Sequence, residues 1–258
     1  MTAESIVYLE DVTVSYDGFK ALDRLTFIME RRELRVVIGP NGAGKTTLLD
    51  VISGRVKPVA GRVIFGRHTD LLPLRENQIA ALGVGRKFQT PAVFPSLSVA
   101  ENVELSLRRE RRGVLATLVG RDAAGDEAGR VSATLETIGL GHRAGAPAGL
   151  LSHGEKQWLE IGMVMAQDPE LLLVDEPVAG MTDEETARTG ELLRLIARER
   201  SVLVIEHDMD FVRQIARRVT VLCQGTVLCE GPMAEVQEDP RVLEVYLGRR
   251  RQGHHAGS

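Results

Sequence analysis

The sequence predicts an α/β fold with a mostly parallel sheet, an N-terminal antiparallel β subdomain and a helical subdomain. Three short apolar runs, ELRVVIG (33–39), LLLVDE (171–176) and SVLVIEH (201–207), each end in glycine or in polar residues. Apolar runs of this kind, separated by helical segments, are typical of parallel strands covered on both faces. Ahead of them, residues 6–14 and 24–30 alternate between apolar and polar side chains, which predicts two strands with a turn near Asp17 and Gly18.

The middle of the chain has a different pattern, and residues 90–168 are expected to form a mostly helical subdomain. Within it, residues 113–129 are rich in glycine and alanine and predict a loose connection. After residue 168 the sheet pattern returns, and CQGT (223–226) predicts the turn of a hairpin. We therefore expect one domain over residues 1–247 with the helical segment inserted into it, followed by a disordered tail at 248–258.

Composition excludes several classes of protein. The chain of 258 residues has 43% hydrophobic and 26% charged residues, which is ordinary for a globular domain. Its net charge of −4 argues against a general nucleic-acid binder. We find no apolar run near the ~20 residues that span a bilayer, no secretory signal, and too few cysteines for a disulfide framework or a zinc site. The expected location is the cytoplasm, with any membrane role exerted through partner proteins.

A glycine-rich motif lies where a strand is expected to meet a helix. GPNGAGKTT (39–47) matches G-x-x-x-x-G-K-[ST], and TTLLDVIS follows as a helix. Glycines let consecutive backbone N–H groups surround a phosphate, and the helix N-terminus adds a partial positive charge. The lysine can reach the β- and γ-phosphates, and the first threonine can supply a hydroxyl to Mg²⁺. The predicted nucleotide-binding residues are Gly39, Pro40, Asn41, Gly42, Ala43, Gly44, Lys45, Thr46 and Thr47.

Two acids close one of the predicted core strands. Asp175 at the end of LLLVDE can hold Mg²⁺ through its water shell, and Glu176 can polarise an attacking water. The alternative is a pair of solvated acids that cap a strand ahead of Pro177. A phosphate loop in the same chain favours the functional interpretation.

The stretch LLSHGEKQWLEIGM (150–163) predicts a second anion-binding helix end. Ser152 and Glu155 form a capping-box pattern, although His153 and Gly154 are poor residues for a helical first turn. A helix N-terminus presents free N–H groups, and a serine hydroxyl can accept from one of them while it donates to a phosphate oxygen. Positions 159, 162, 163 and 166 have the spacing of a face that packs on the core.

Taken in order, these motifs resemble the ATP-binding cassette (ABC) family of transporter ATPases. The series is GPNGAGKTT, KFQT around Gln89, LSHGE, LLLVDE, AGMTD and EHD with His207, and it covers nearly the whole chain. Within the family, the chain is most similar to ATPases of branched-chain amino acid importers. GRKFQTPAVFPSLSVAENV, EPVAGMTDEET and above all SHGEKQWLEIGM resemble their urea-transporting branch.

The resemblance implies a P-loop NTPase (RecA-like) core and a role for single residues. Tyr16 is expected to stack on adenine, Gln89 to join the core to the helical subdomain and contact Mg²⁺ or water, and His207 to sense the γ-phosphate. The implied catalytic residues are Lys45, Gln89, Glu176 and His207, and the implied magnesium ligands are Thr46, Gln89 and Asp175. The resemblance also implies that two such ATPases pack head to tail, so Ser152 and Gly154 of each would complete the ATP site of the other.

Three positions depart from the usual family pattern. His153 stands where glycine is commoner, Glu155 where glutamine is commoner, and Thr182 where asparagine or aspartate is usual. A carboxylate near a triphosphate is repulsive, so we interpret Glu155 as an acid that turns back to cap its own helix. Thr182 lies in AGMTD, a segment where the resemblance implies contacts across the dimer.

The function predicted from the sequence is an ATP-binding and ATP-hydrolysing subunit of an ABC importer for urea or short amides. Its cofactors would be ATP and Mg²⁺. Its partners would be a second ATPase (the same or, as we favour, a related one), permease subunits at the inner face of the membrane and an extracytoplasmic binding protein, with no nucleic acid.

Other functions remain open on the sequence. The ATPase could serve a branched-chain amino acid importer or a lipid exporter. A non-transport ABC ATPase of DNA repair or translation is disfavoured, because the chain has no coiled-coil insertion and only one cassette. A GTPase or small-molecule kinase would leave LSHGE and His207 unexplained.

Overall fold

The structure is a computed structural model that describes residues 5–87, 92–107 and 123–245. The strands, in chain order, are β1 Ser5–Tyr16, β2 Phe19–Glu30, β3 Leu34–Ile38, β4 Ala60–Phe65, β5 Thr69–Asp70, β6 Val84–Lys87, β7 Leu171–Asp175, β8 Ser201–Ile205, β9 Arg218–Cys223 and β10 Thr226–Gly231. The helices are α1 Lys45–Ile52, α2 Glu76–Ala81, α3 Val99–Ser106, α4 Ala123–Thr137, α5 His153–Met165, α6 Asp183–Ile196, α7 Met209–Ile215 and α8 Met233–Val236. Among these described helices, none has the length and apolar character needed to cross a bilayer. Gln89 and the predicted tail lie outside the described residues.

The central sheet of the described chain has the strand order β10-β9-β3-β8-β7-β6. β3 pairs in parallel with β8 and β9, β7 pairs in parallel with β6 and β8, and β10 pairs antiparallel with β9. Every residue of β3, β7 and β8 is buried. The prediction of a mostly parallel sheet built on the three apolar runs is confirmed, because only strands covered on both faces bury consecutive residues.

A second sheet, with the order β2-β1-β4-β5, is antiparallel throughout and is formed mainly from the N-terminal hairpin. β1 and β2 are joined at Asp17 and Gly18, which have φ of 48° and 86°. Positive φ at both central residues is the geometry that matches the twist of a two-residue hairpin. The predicted N-terminal antiparallel sheet and its turn are therefore confirmed.

The two faces of the central sheet pack on different layers. Val36 of β3 belongs to a core that includes Trp158 and Leu159 of α5, whereas its neighbour Val37 belongs to a core with α1 and the N-terminal sheet. This alternation follows from the period of two in a strand. The predicted core face of α5 is confirmed, since positions 159, 162, 163 and 166 are all buried.

One local prediction is wrong in part. Residues 113–129 were expected to form a loose connection, but α4 already begins at Ala123; the residues before 123 lie outside the described range. α4 leads directly into Ile138, which packs on α5: a Cβ on Gly162 would lie 2.6 Å from the Cδ1 atom of Ile138. Contacts between helices supply stability that the glycine content of the segment does not indicate.

Candidate nucleotide site

The phosphate loop lies between the end of β3 and the start of α1. Gly39, Gly42 and Gly44 have φ of 151°, 78° and 97°, which side chains rarely adopt. The ammonium of Lys45 donates to the carbonyl oxygens of Gly39 (2.8 Å) and Pro40 (3.1 Å), so the lysine is held over its own loop. The first N–H groups of a helix have no partner within that helix. Loop, lysine and helix end therefore combine backbone N–H groups with positive charge, as the binding of a polyphosphate requires.

The N-terminal hairpin lies against this loop. A side chain at Gly44 would collide with the backbone carbonyl of Ala21 in β2, which explains why glycine is needed there. Two residues before Ala21 in the chain, Phe19 is 64% exposed, and it pairs across the hairpin with Tyr16, which is 47% exposed. Two exposed aromatic rings at a hairpin tip beside a phosphate loop can stack on a nucleobase. Tyr16 was predicted from the sequence, whereas Phe19 was not.

The acidic pair and His207 lie at the carboxyl ends of two neighbouring parallel strands, β7 and β8. Glu176 has φ of 44°, a strained left-handed conformation for a residue with a side chain, and its N–H donates to the carbonyl of Ile205 at 3.0 Å. Its Oε1 lies 3.5 Å from Nδ1 of His207. The fold thus brings Glu176 and His207 together, although 30 residues lie between them in the chain.

Burial and nearby charges set the electrostatics of Asp175. Burial raises the pKa of Asp175, while the charge of Arg86 opposes that rise. Arg86 also donates to Asp50 Oδ1 at 2.7 Å and to Ser53 Oγ at 2.8 Å, which ties the end of β6 to α1. A buried carboxylate with a raised pKa is stabilised in its charged form by a further cation, which is a property expected of a metal ligand.

Two more buried charges surround this centre. Burial raises the pKa of Glu206, and its Oε2 accepts the N–H groups of His207 (2.8 Å) and Asp208 (3.1 Å), which fixes the backbone that carries His207. Lys87 is fully buried at the end of β6, with Nζ 3.6 Å from Oε2 of Glu160 in α5. Neither Glu206 nor Lys87 was predicted from the sequence, and neither was Arg86. The one feature of the sequence that could have indicated Lys87 is its position two residues before Gln89.

The donor set fits Mg²⁺ bound together with a nucleotide. Among the described residues, no group of three or more His, Cys, Asp or Glu side chains could hold a metal by itself. Mg²⁺ characteristically takes one or two protein ligands and completes its shell with phosphate oxygens and water. A buried Asp175 and the exposed hydroxyl residue Thr46 at the start of α1 are ligands of that kind.

The second predicted anion-binding end is the start of α5. Ser152 forms the capping box: its Oγ accepts from the N–H of Glu155 at 3.1 Å, and its own N–H donates to Glu155 Oε2 at 2.8 Å. The prediction that Glu155 caps its own helix is confirmed. Nε2 of His153 lies 3.1 Å from the carbonyl oxygen of Ala179. The Ser152 hydroxyl bonds to Glu155 and to Glu185, and within the described residues it makes no hydrogen bond to the phosphate loop of its own chain.

The third departure, Thr182, also has a structural role. Thr182 is the N-cap of α6, where its Oγ1 accepts from the N–H of Glu185 at 3.3 Å. Its own N–H donates to Glu185 Oε2 at 3.1 Å. Threonine therefore supplies the capping function that asparagine or aspartate would supply at this position.

Two models of known protein families match the chain. The model of a family described as ABC transporter matches residues 22–179, and one described as branched-chain amino acid ATP-binding cassette transporter matches residues 226–251. The chain is 34% identical to the high-affinity branched-chain amino acid transport ATP-binding protein LivG of Salmonella typhimurium, over 95% of this chain and 99% of LivG. It is 32% identical to BraF of Pseudomonas aeruginosa, which has the same description, over 94% and 98% of the two chains.

Solved structures agree with the fold. A nucleotide-free ATP-binding cassette from an ABC transporter is 30% identical and superposes with a TM-score of 0.79, covering 94% of this chain and 98% of that one. The ADP conformation of another ATP-binding cassette is 29% identical with a TM-score of 0.81, covering 95% and 99%. A phosphate loop, an acidic strand end and a capped second helix end occur in this chain in the order of that family. The chain belongs to the ABC transporter ATPases of the LivG-like branched-chain amino acid family, and is an ATP-binding subunit that hydrolyses ATP.

Proposed function

We propose that this chain powers an ABC importer of branched-chain amino acids or closely related small solutes by binding and hydrolysing ATP. One observation carries the proposal. The adjacent parallel strands β3, β7 and β8 lead directly into the phosphate loop, the Asp175-Glu176 pair and His207, respectively. Ligands of open α/β sheets bind at this carboxyl edge.

In the proposed reaction, Lys45 and the backbone N–H groups of residues 39–47 hold the triphosphate. Glu176 orients a water in line with the β–γ bond and accepts its proton, and His207, 3.5 Å from Glu176, contacts the γ-phosphate. Tyr16 stacks on the adenine. Mg²⁺, held by Thr46, Asp175 and Gln89, would offset the charge that develops on the phosphates.

Assembly with other subunits is part of the proposal. The start of α5 is an anion-binding end that does not serve the phosphate loop of its own chain, which supports a head-to-tail pair in which Ser152 and Gly154 complete the site of a second ATPase. We favour a related chain over an identical one as that second subunit. The pair would couple ATP-driven closure to permease subunits at the inner face of the membrane and, indirectly, to an extracytoplasmic binding protein.

The substitution Glu176→Gln tests the catalytic assignment. Loss of a general base lowers the rate by about 100- to 10,000-fold, so the variant should bind ATP normally and hydrolyse it at least about 100-fold more slowly. Glu184→Gln, an exposed acid in the first turn of α6, is the matched control and should keep the parental rate. Parental ATPase activity in Glu176→Gln would remove the assigned role.

The identity of the solute rests on the relatives. LivG and BraF are described as branched-chain amino acid transport proteins, which favours that alternative over the urea or short-amide prediction. The motifs SHGEKQWLEIGM and AGMTDEE still favour urea as a second candidate. The transporter should be purified with its membrane subunits and binding protein, and its ATPase rate measured with leucine and with urea. Stimulation by urea alone would overturn the amino acid assignment.

A further inference from the structure

The hydroxyl of Ser152 uses its proton inside its own chain. Its Oγ accepts from the N–H of Glu155, and it donates to Oε1 of Glu185 at 3.0 Å. A hydroxyl has one proton to donate. In this arrangement Ser152 cannot also donate to a phosphate oxygen. The hydrogen bond from Ser152 to Glu185 must therefore break before Ser152 can donate to a phosphate in the proposed dimer.

The carboxylate of Glu185 also occupies the N-terminal end of α5. The backbone N–H of Gly154 contributes to the lowered pKa of Glu185, after the larger effect of the Thr182 N–H. A Cβ on Gly154 would lie 2.5 Å from Oε1 of Glu185, so the absence of a side chain lets the carboxylate approach closely. A hydroxyl, a backbone N–H and the positive end of a helix are the groups that would bind a γ-phosphate oxygen.

We propose that the carboxylate of Glu185 occupies the position that the γ-phosphate of ATP bound to the second subunit would take. ATP-driven closure of the dimer then exchanges the carboxylate for the phosphate. The inference rests on the proposed role of Ser152 and adds the residue that controls its availability. The exchange moves one hydrogen bond: Ser152 Oγ transfers its donation from Glu185 to a phosphate oxygen. Because two anions at one helix end repel each other, Glu185 raises the ATP concentration needed for closure.

Glu185 can lose its hydrogen bond to Ser152 while the N-terminal cap of α6 is kept. Its second oxygen, Oε2, accepts the N–H of Thr182 at 3.1 Å, and this bond caps α6 independently of Ser152. The contact of His153 with Ala179 at 3.1 Å keeps the start of α5 near the same segment during the exchange. Glu185 is thus a positioning residue that acts through Ser152.

The test uses the assembled transporter, with KM for ATP and kcat measured separately. Removing the charge in Glu185→Gln weakens the competing anion, and we expect KM for ATP to fall about tenfold, the size of one charge-assisted hydrogen bond. Glu184→Gln, the neighbouring exposed acid, should change KM less than twofold. In a Ser152→Ala background the effect of Glu185→Gln should shrink, because the shared hydroxyl is gone. A purely structural role in capping α6 would leave KM unchanged, whatever the change in melting temperature.

The possible results are distinguishable. An unchanged or raised KM in a folded Glu185→Gln protein overturns this inference while leaving the ATPase function intact, provided Ser152→Ala impairs hydrolysis. If Ser152→Ala hydrolyses ATP with parental KM and kcat, the proposed role of the α5 end fails first. If Glu185→Gln fails to fold, Glu185→Ala in a Thr182→Asp background, which caps α6 by another acid, provides the same comparison.

Discussion

The buried pair of Lys87 and Glu160 gives a prediction whose size follows from the structure. Lys87 ends β6 and is fully buried, and Glu160 in α5 is 4% exposed. Burial lowers the pKa of Lys87, while the charges of Glu160, Asp175 and Glu206 oppose that shift. The pair links β6, the strand that precedes Gln89, with α5, the helix that begins after Ser152.

Removing one partner leaves the other charge buried, which costs about 3–5 kcal/mol of unfolding free energy. We therefore expect both Lys87→Met and Glu160→Leu to be destabilised by amounts in that range. For a chain of this length, about 2–4 °C is lost per kcal/mol, so melting temperatures should fall by roughly 6–20 °C. The double variant Lys87→Met/Glu160→Leu removes both charges together and should be much closer to the parent than the sum of the single effects.

The measurement is urea unfolding followed by circular dichroism, with the four proteins of the cycle compared at one pH. Trp158, the single tryptophan of the chain, lies two residues from Glu160 and provides a fluorescence signal for the same region. Lys57→Met, whose ammonium donates to the carbonyl of Leu71 at 3.1 Å without a carboxylate partner in that bond, is the control for loss of a lysine. Additive effects, or single variants that cost less than about 1 kcal/mol, would refute the assigned coupling.

Two further predictions concern the contact between α5 and α6. Trp158 donates to Thr189 Oγ1 at 2.9 Å and lies under the guanidinium of Arg188 at 4.1 Å, so Trp158→Phe should lower the unfolding free energy by about 1–2 kcal/mol, measured by urea unfolding; no change would mean that the indole N–H contributes nothing. Hydrogen bonds lower the pKa of Glu185 below its ordinary 4.5, so its stabilising effect is present above pH 4.5 and is lost as the pH falls through the lowered value. The stability difference between the parent and Glu185→Gln should accordingly shrink as the pH falls below 4.5, and a difference that grows in acid would contradict the assigned contacts.

Local sequence patterns sufficed for several parts of the fold and site. Consecutive apolar residues in β3, β7 and β8 predict strands covered on both faces, and glycine at 39, 42 and 44 predicts a backbone that curls around an anion. The capping box of α5 is a contact over three positions, so its residues alone indicate it. Each of these features depends on residues that are close together in the chain, so the local sequence pattern is sufficient to predict it.

Contacts between distant residues needed the tertiary structure. Phe19 was missed because an exposed aromatic is unremarkable until the hairpin tip is placed beside the phosphate loop. The pairing of Lys87 with Glu160 was also not predicted, and neither was the hydrogen bond between Ser152 and Glu185, which are 33 positions apart. Amino-acid order alone determined the strands, the phosphate loop and the helix caps, since short-range backbone geometry and burial decide them. Only the packing of α5 against β6 and α6 decided which charges are paired, because a carboxylate has no preferred partner until the fold removes it from water.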